Sequence, residues 1–141
     1  MSTEQNKALF SRYIAEGVNQ GSFAVFAEVF DPDVVYNVSG LPEPMRGHAG
    51  VEQLVGGFRA AFPDIHVTIE EMIAEGDKVV ARVTVRGTNQ GELMSNAPTG
   101  KQAAWYPVHI ARFANGKIVE DRVTLDQLGF LQQLGLIPTP E

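Results

Sequence analysis

The strongest turn signal in this chain is Asn115-Gly116, a pair suited to the left-handed backbone of a two-residue hairpin. A regular turn there sets the pairing of the flanking strands, with Phe113 opposite Ile118, His109 opposite Arg122 and Trp105 opposite Asp126. Because strand side chains alternate, Trp105, His109, Phe113, Ile118, Arg122 and Asp126 then share one face. Val108, Ile110, Arg112, Val119, Asp121, Val123 and Leu125 share the other. The first face combines a carboxylate, an imidazole and a guanidinium with aromatic rings. Apolar surroundings raise a carboxylate's pKa toward the range of a general base, whereas a neighbouring arginine lowers it. His109 and Arg122 can donate hydrogen bonds to a developing enolate oxygen. The predicted catalytic set is therefore Asp126, His109 and Arg122, with Trp105 and Phe113 as apolar walls. This assignment requires a regular hairpin, since one bulge exchanges the two faces.

Each of these residues also has a plainer role open to it. Asp126 stands directly before a short helix and suits an N-cap, which is compatible with catalysis. His109 could be a satisfied core histidine, or half of a cross-strand polar pair with Arg122. Trp105 suits packing as well as recognition. Tyr36 and Asn37 lead into a loop and could reach a pocket or serve the turn. Asp121 sits among apolar neighbours on the opposite face, where exposure or a contact between copies would suit it.

The elements that must position this hairpin follow from periodicity. Leu9, Phe10, Tyr13, Ile14 and Val18 recur at helical spacing, with Ser2 and Gln5 able to form a capping box before them. Ser22 offers an N-cap to a second helix carrying Phe23, Phe26 and Phe30, which Asp31-Pro32-Asp33 ends. Val34 to Val38 reads as a short strand. A third helix follows Gly47, with Val51, Leu54, Val55, Phe58 and Phe62 on one face. From Ile65 the period becomes two, and strands follow from Ile65, from Val79, from Trp105 to Phe113 and from Lys117 to Leu125. A polar, turn-rich stretch runs from Gly87 to Gly100. The last helix carries Leu128, Leu131 and Leu134 and stops at Gly135. Helices first and an antiparallel meander second give an α+β domain, with a curved sheet around helices and a pocket at its open end. The expected organisation is one domain over residues 1–141.

Composition narrows the function classes. The formal net charge is −6, and the lysines and arginines are scattered, so nucleic acid and anionic membrane are not expected partners. The chain has no cysteine, which excludes disulfides and thiolate chemistry. It shows neither a signal-peptide layout at its start nor an apolar run near the ~18 residues of a membrane span, so a cytoplasmic location is the default. His48, His66 and His109 are far apart and form no metal-binding motif. Neither GxGxxG nor GxSxG occurs, and Pro98-Thr99-Gly100-Lys101 lacks the leading glycine of a phosphate loop. No metal or cofactor is expected.

Several segments together resemble the SnoaL-like polyketide cyclases, within the NTF2-like cone fold. They are Phe62-Pro63-Asp64, Gly76-Asp77-Lys78-Val79, Arg86-Gly87-Thr88-Asn89-Gln90-Gly91, Pro98-Thr99-Gly100-Lys101, Arg112 through Glu120, and Asp126 with Gln133-Leu134-Gly135. The resemblance implies a curved, mostly antiparallel sheet wrapped around N-terminal helices, a deep internal cavity and often a homodimer. It also implies cofactor-independent aldol ring closure of a small hydrophobic carbonyl compound, with an acidic residue as acid and base. Asp126 matches the aspartate before the final helix, and His109 a His or Asp position on the penultimate strand. Asp121 and Arg122 stand where the family usually has histidine and tryptophan, and Asn89 where it frequently has histidine. Asn89 is thus a further candidate substrate contact with Tyr36 and Asn37. The expected function is a cyclase or isomerase. The alternatives are a non-catalytic small-molecule binding protein and, third, an epoxide hydrolase, which would need Asp121, Arg122 and Asp126 to converge.

Overall fold

The computed structural model describes residues 2–140. Helix α1 (Thr3–Arg12) begins with the predicted capping box: the Gln5 N–H donates to the Ser2 hydroxyl at 3.1 Å, and the Ser2 N–H donates to Gln5 Oε1 at 2.9 Å. The helix does not stop where α geometry stops. It widens into a π-helical segment, Tyr13–Asn19, whose Tyr13, Ile14, Gly17 and Val18 are all buried. Gly17 is required by close packing, since a Cβ there would lie 2.5 Å from a ring carbon of Phe26. The carbonyls of Val18 and Asn19 accept from the Arg59 guanidinium at 2.6 and 3.1 Å.

The second helix is shorter than its aromatic spacing predicts. Helix α2 covers Val25–Val29 without a side-chain cap from Ser22, and Phe30 already belongs to strand β1 (Phe30–Val38). Asp31-Pro32-Asp33 therefore lies inside β1, where the pairing is irregular between Phe30 and Val35. Proline has no N–H for the ladder, so the strand accommodates it only at such an irregularity. Strand β2 (Met45–Arg46) leads into α3 (Gly47–Ala61), the predicted third helix.

Strands β3 (His66–Glu75) and β4 (Lys78–Thr88) form the expected hairpin. The strand expected from Trp105 to Phe113 is two strands. Tyr106-Pro107 separates β5 (Gln102–Trp105) from β6 (Val108–Ala114), and both pair with β4. With β7 (Lys117–Thr124) the sheet runs β2-β1-β7-β6-β4-β3, and β5 lies off this path. All pairs are antiparallel except β1 with β7. The helices pack on one face of the sheet, α3 on β1 and α1 on β3 and β4, and bury Phe10, Phe26, Phe30 and Phe62 completely. This is the cone expected from the sequence.

The Asn115-Gly116 turn has the left-handed φ values of 52° and 78° that its residues favour, and Phe113 faces Ile118. Regularity ends there. Arg112 pairs with Glu120, so β7 carries an extra residue, Val119. One extra residue turns every following side chain to the other face. His109 consequently faces Val123 rather than Arg122, and Asp121 and Val123 join His109 on the core side. Ile110 and Arg122, now paired, point outward. The expected face assignment for Arg122 and Asp121 is thus reversed.

Helix α4 (Gln127–Gln133) closes the chain over the sheet end. Its Phe130 packs with centroids 4.5 Å from Trp105 and 6.0 Å from Phe62. The Gln133 amide bonds both backbone groups of Ala104, accepting at 2.9 Å and donating at 2.8 Å. Asp126 is the N-cap: its Oδ1 accepts from the Gly129 N–H at 2.9 Å. Among the described residues no helix is long and apolar enough to cross a membrane. Replacing a capping Asp by Ala costs about 1 kcal/mol. Asp126→Ala should therefore lower the unfolding free energy measured by urea denaturation by that amount, while Asp126→Asn, which can still cap, keeps stability near that of the parent chain.

Candidate active site

The inner face of the sheet, the π-helical segment and α3 enclose a cavity of about 90 Å³. Its walls are apolar side chains such as Val18, Val55, Val67, Phe58 and Trp105, and its polar groups are Tyr13, Tyr36 and His109. The π-helix presents Tyr13 and Val18 to the cavity, while β1 and β6 supply Tyr36 and His109.

Behind His109 lies Asp121, with no exposed surface. The bulge at Val119 turned it inward, and the parallel register sets Tyr36 directly beside it. The His109 Nδ1–H donates to Asp121 Oδ2 at 2.9 Å. A carboxylate in this position selects the tautomer with hydrogen on Nδ1 and leaves Nε2 as the basic nitrogen. No described protein group bonds Nε2, and Phe10 meets the ring edge-on at a centroid distance of 5.3 Å. A carboxylate so thoroughly desolvated requires such a partner.

The Tyr13 and Tyr36 hydroxyls are 2.7 Å apart. One hydrogen lies between them, so one O–H remains to donate elsewhere. Burial is the main cause that raises both phenols well above their usual value of 10.0, and the Asp121 charge adds to it. The Tyr36 hydroxyl also approaches the carboxylate, but its well-formed bond is to Tyr13. Asp121 Oδ1 consequently has no partner of full geometry. The cavity thus joins an oriented imidazole to two phenols that stay protonated. These are the parts needed to remove a proton next to a carbonyl and hold the resulting oxyanion.

The sequence-predicted residues divide. Trp105, His109 and Tyr36 meet at the cavity. Phe113 is buried but does not line it, and Asn37 borders a shallow crevice with Leu41 and Pro42. Asn89 is a buried loop clamp rather than a rim group. Its Oδ1 accepts from the Thr99 N–H and hydroxyl at 2.9 and 3.1 Å, and its Nδ2 donates to the Gly91 carbonyl at 2.9 Å. The Arg122 side chain is 67% exposed and donates to Glu120 Oε1 at 3.3 Å. Asp126 is exposed and committed to capping α4. An Asp-Arg-Asp water-activating set does not converge: Asp121 faces the core, Arg122 the outer surface and Asp126 the helix end. Among the described residues no three His, Asp or Glu side chains gather as a metal site.

Sequence reasoning missed Asp121 and Tyr13 as members of the site. A signal for Asp121 existed. Ile118 is apolar at an even position, whereas Val123 and Leu125 are apolar at odd ones, so the inward phase must change between them.

The raised phenols make stability pH-dependent at the alkaline end. Above about pH 10 the unfolded chain releases phenolic protons that the folded chain retains, so stability falls as pH rises and is unaffected below that range. The melting temperature of the parent chain should fall more steeply between about pH 10 and 12 than that of the Tyr13→Phe/Tyr36→Phe double variant.

Comparison with known proteins agrees with the fold. The sequence profile of the SnoaL-like polyketide cyclases matches residues 8–134. The aklanonic acid methyl ester cyclase DnrD of Streptomyces peucetius is 31% identical over 99 residues, covering 69% of this chain and 68% of that protein. AcmA of Streptomyces galilaeus, with the same described activity, is 39% identical over 75 residues, or 53% of this chain, and the match spans only 49% of AcmA. The crystal structure of AclR, a proposed hydroxylase from Streptomyces galilaeus, superposes with a TM-score of 0.84 at 31% identity, covering 99% of this chain and 87% of AclR. With a profile match over most of its length and the same curved sheet around N-terminal helices, this chain belongs to the SnoaL-like polyketide cyclase family.

Proposed function

We propose that this protein closes a ring in a small, uncharged polyketide-like carbonyl compound by intramolecular aldol condensation, with the Asp121–His109 pair as its base. The observation that carries this reading is the 2.9 Å bond from a cavity-lining imidazole to a fully buried carboxylate, beside two buried phenols. His109 Nε2 takes a proton from the carbon next to a carbonyl. The electron pair moves onto that oxygen, which accepts a hydrogen bond from the free phenolic O–H. The enolate carbon then attacks a second carbonyl of the same molecule, forming the carbon–carbon bond, and the new alkoxide recovers the proton from the imidazolium. Asp121 is a positioning residue here: it orients the ring and stabilises its cationic form. Neither Lys nor Arg lines the cavity, which favours an uncharged substrate over a carboxylate. The described activities of DnrD and AcmA support the reaction class.

Removing a general base lowers turnover by roughly 10²–10⁴-fold. His109→Gln should show a loss of that size in solvent-deuterium exchange at the acidic carbon of a β-diketone, followed by NMR, with its fold retained by circular dichroism. Unchanged exchange in His109→Gln would assign the cavity to binding alone. Asp121→Asn should keep detectable activity with a displaced pH profile, as a residue acting through the imidazole must.

A further inference from the structure

The cavity around His109 is small for the compounds it is proposed to handle. At about 90 Å³ it falls short of the roughly 150 Å³ apolar cavity that admits one benzene. It is not isolated. A second hollow of about 570 Å³ lies outside it, within the usual ligand-pocket range of roughly 300–1,000 Å³. This outer groove runs between the loop after β1, the Glu92–Met94 turn and α4. The two hollows share four lining residues: Val38, Leu54, Phe58 and Leu125. Phe58 and Leu54 come from α3, Val38 from the end of β1 and Leu125 from the segment after β7, so two layers of the fold meet where the hollows adjoin. Phe58 is held there by near-parallel packing on Phe62, with centroids 6.5 Å apart and 19° between planes.

From these volumes we infer that the substrate enters end-on. One acyl end, bearing the carbon to be deprotonated, passes between these four side chains to reach His109, and the flat remainder stays in the outer groove. Phe58 and Leu54 determine how much of the ligand passes. The inference rests on the His109 cavity being the reaction site, and it adds where a polycyclic substrate lies and which of its ends can react. An interior ring cannot reach the imidazole, because the inner cavity of about 90 Å³ cannot hold a flank of the molecule beside it.

Methyl NMR separates the two compartments, since Val18 and Val67 line only the inner one and Leu41 and Leu93 border only the outer one of the two. Acetone, small enough for the inner cavity, should shift the inner methyls. 2-Acetylanthracene, with three fused rings, should shift both sets together along one saturation curve. Phe58→Trp and, independently, Leu54→Phe should abolish the inner shifts for 2-acetylanthracene and preserve the outer ones. Phe58→Ala should strengthen the inner shifts. The proposal is overturned if 2-acetylanthracene shifts one set alone in the parent chain, if neither ketone produces a shift, or if both narrowing variants keep the inner shifts. These readouts involve no bond making. Loss of the proposed chemistry with the two-compartment pattern intact would therefore count against the aldol reading and not against this one.

Discussion

A carboxylate with no access to water remains in an apolar core only with a partner that offsets its lost hydration, and for Asp121 that partner is His109. An ion removed from water loses several kcal/mol of solvation, so a side chain at position 109 with no hydrogen-bond donor would leave a charge that the core cannot accommodate. Much of the surrounding structure follows from this requirement. The bulge at Val119 turns Asp121 inward, the parallel register of β1 and β7 brings Tyr36 beside it, and the antiparallel pairing of β6 and β7 sets His109 diagonally across.

The departures from regular secondary structure gather at the same place. The π-helical segment, the β-bulge and the buried carboxylate oxygen without a full hydrogen bond all adjoin one small cavity. Each costs stability on its own, through a looser helix, a broken ladder or an unsatisfied acceptor. Their coincidence fits a site in which positioning is kept at the expense of packing. Arg59 shows how the cost is limited, because it satisfies carbonyls at the end of the π-helical segment from the neighbouring helix.

The division between polar floor and apolar walls underlies the proposed chemistry. The phenols stay protonated because burial disfavours their anions, so they can donate to an oxyanion without competing as bases. The imidazole keeps one nitrogen free because the other is bonded to Asp121. Family membership alone does not supply this reasoning, since one cone hosts proteins described as cyclases and as a proposed hydroxylase. The proposed chemistry therefore rests on the arrangement of Tyr13, Tyr36, His109 and Asp121.

Much of the architecture was legible from the sequence, because it rests on local regularities. The Ser2–Gln5 box, the spacing of apolar residues in α3, the alternation in β3 and β4 and the Asn115-Gly116 turn each act within a few residues. Together with the family-like segments they determine an α+β cone with a cavity. The site was legible only in part. His109, Trp105 and Tyr36 have side chains whose inward direction does not depend on the bulge, whereas Asp121, Arg122 and Asp126 lie beyond it. A single extra residue in β7 reverses orientation without altering composition or strand length, so tertiary structure alone chose Asp121 over its neighbours. The same holds for Tyr13: its helical spacing marks it as core, and only packing against Tyr36 brings its hydroxyl into the candidate site.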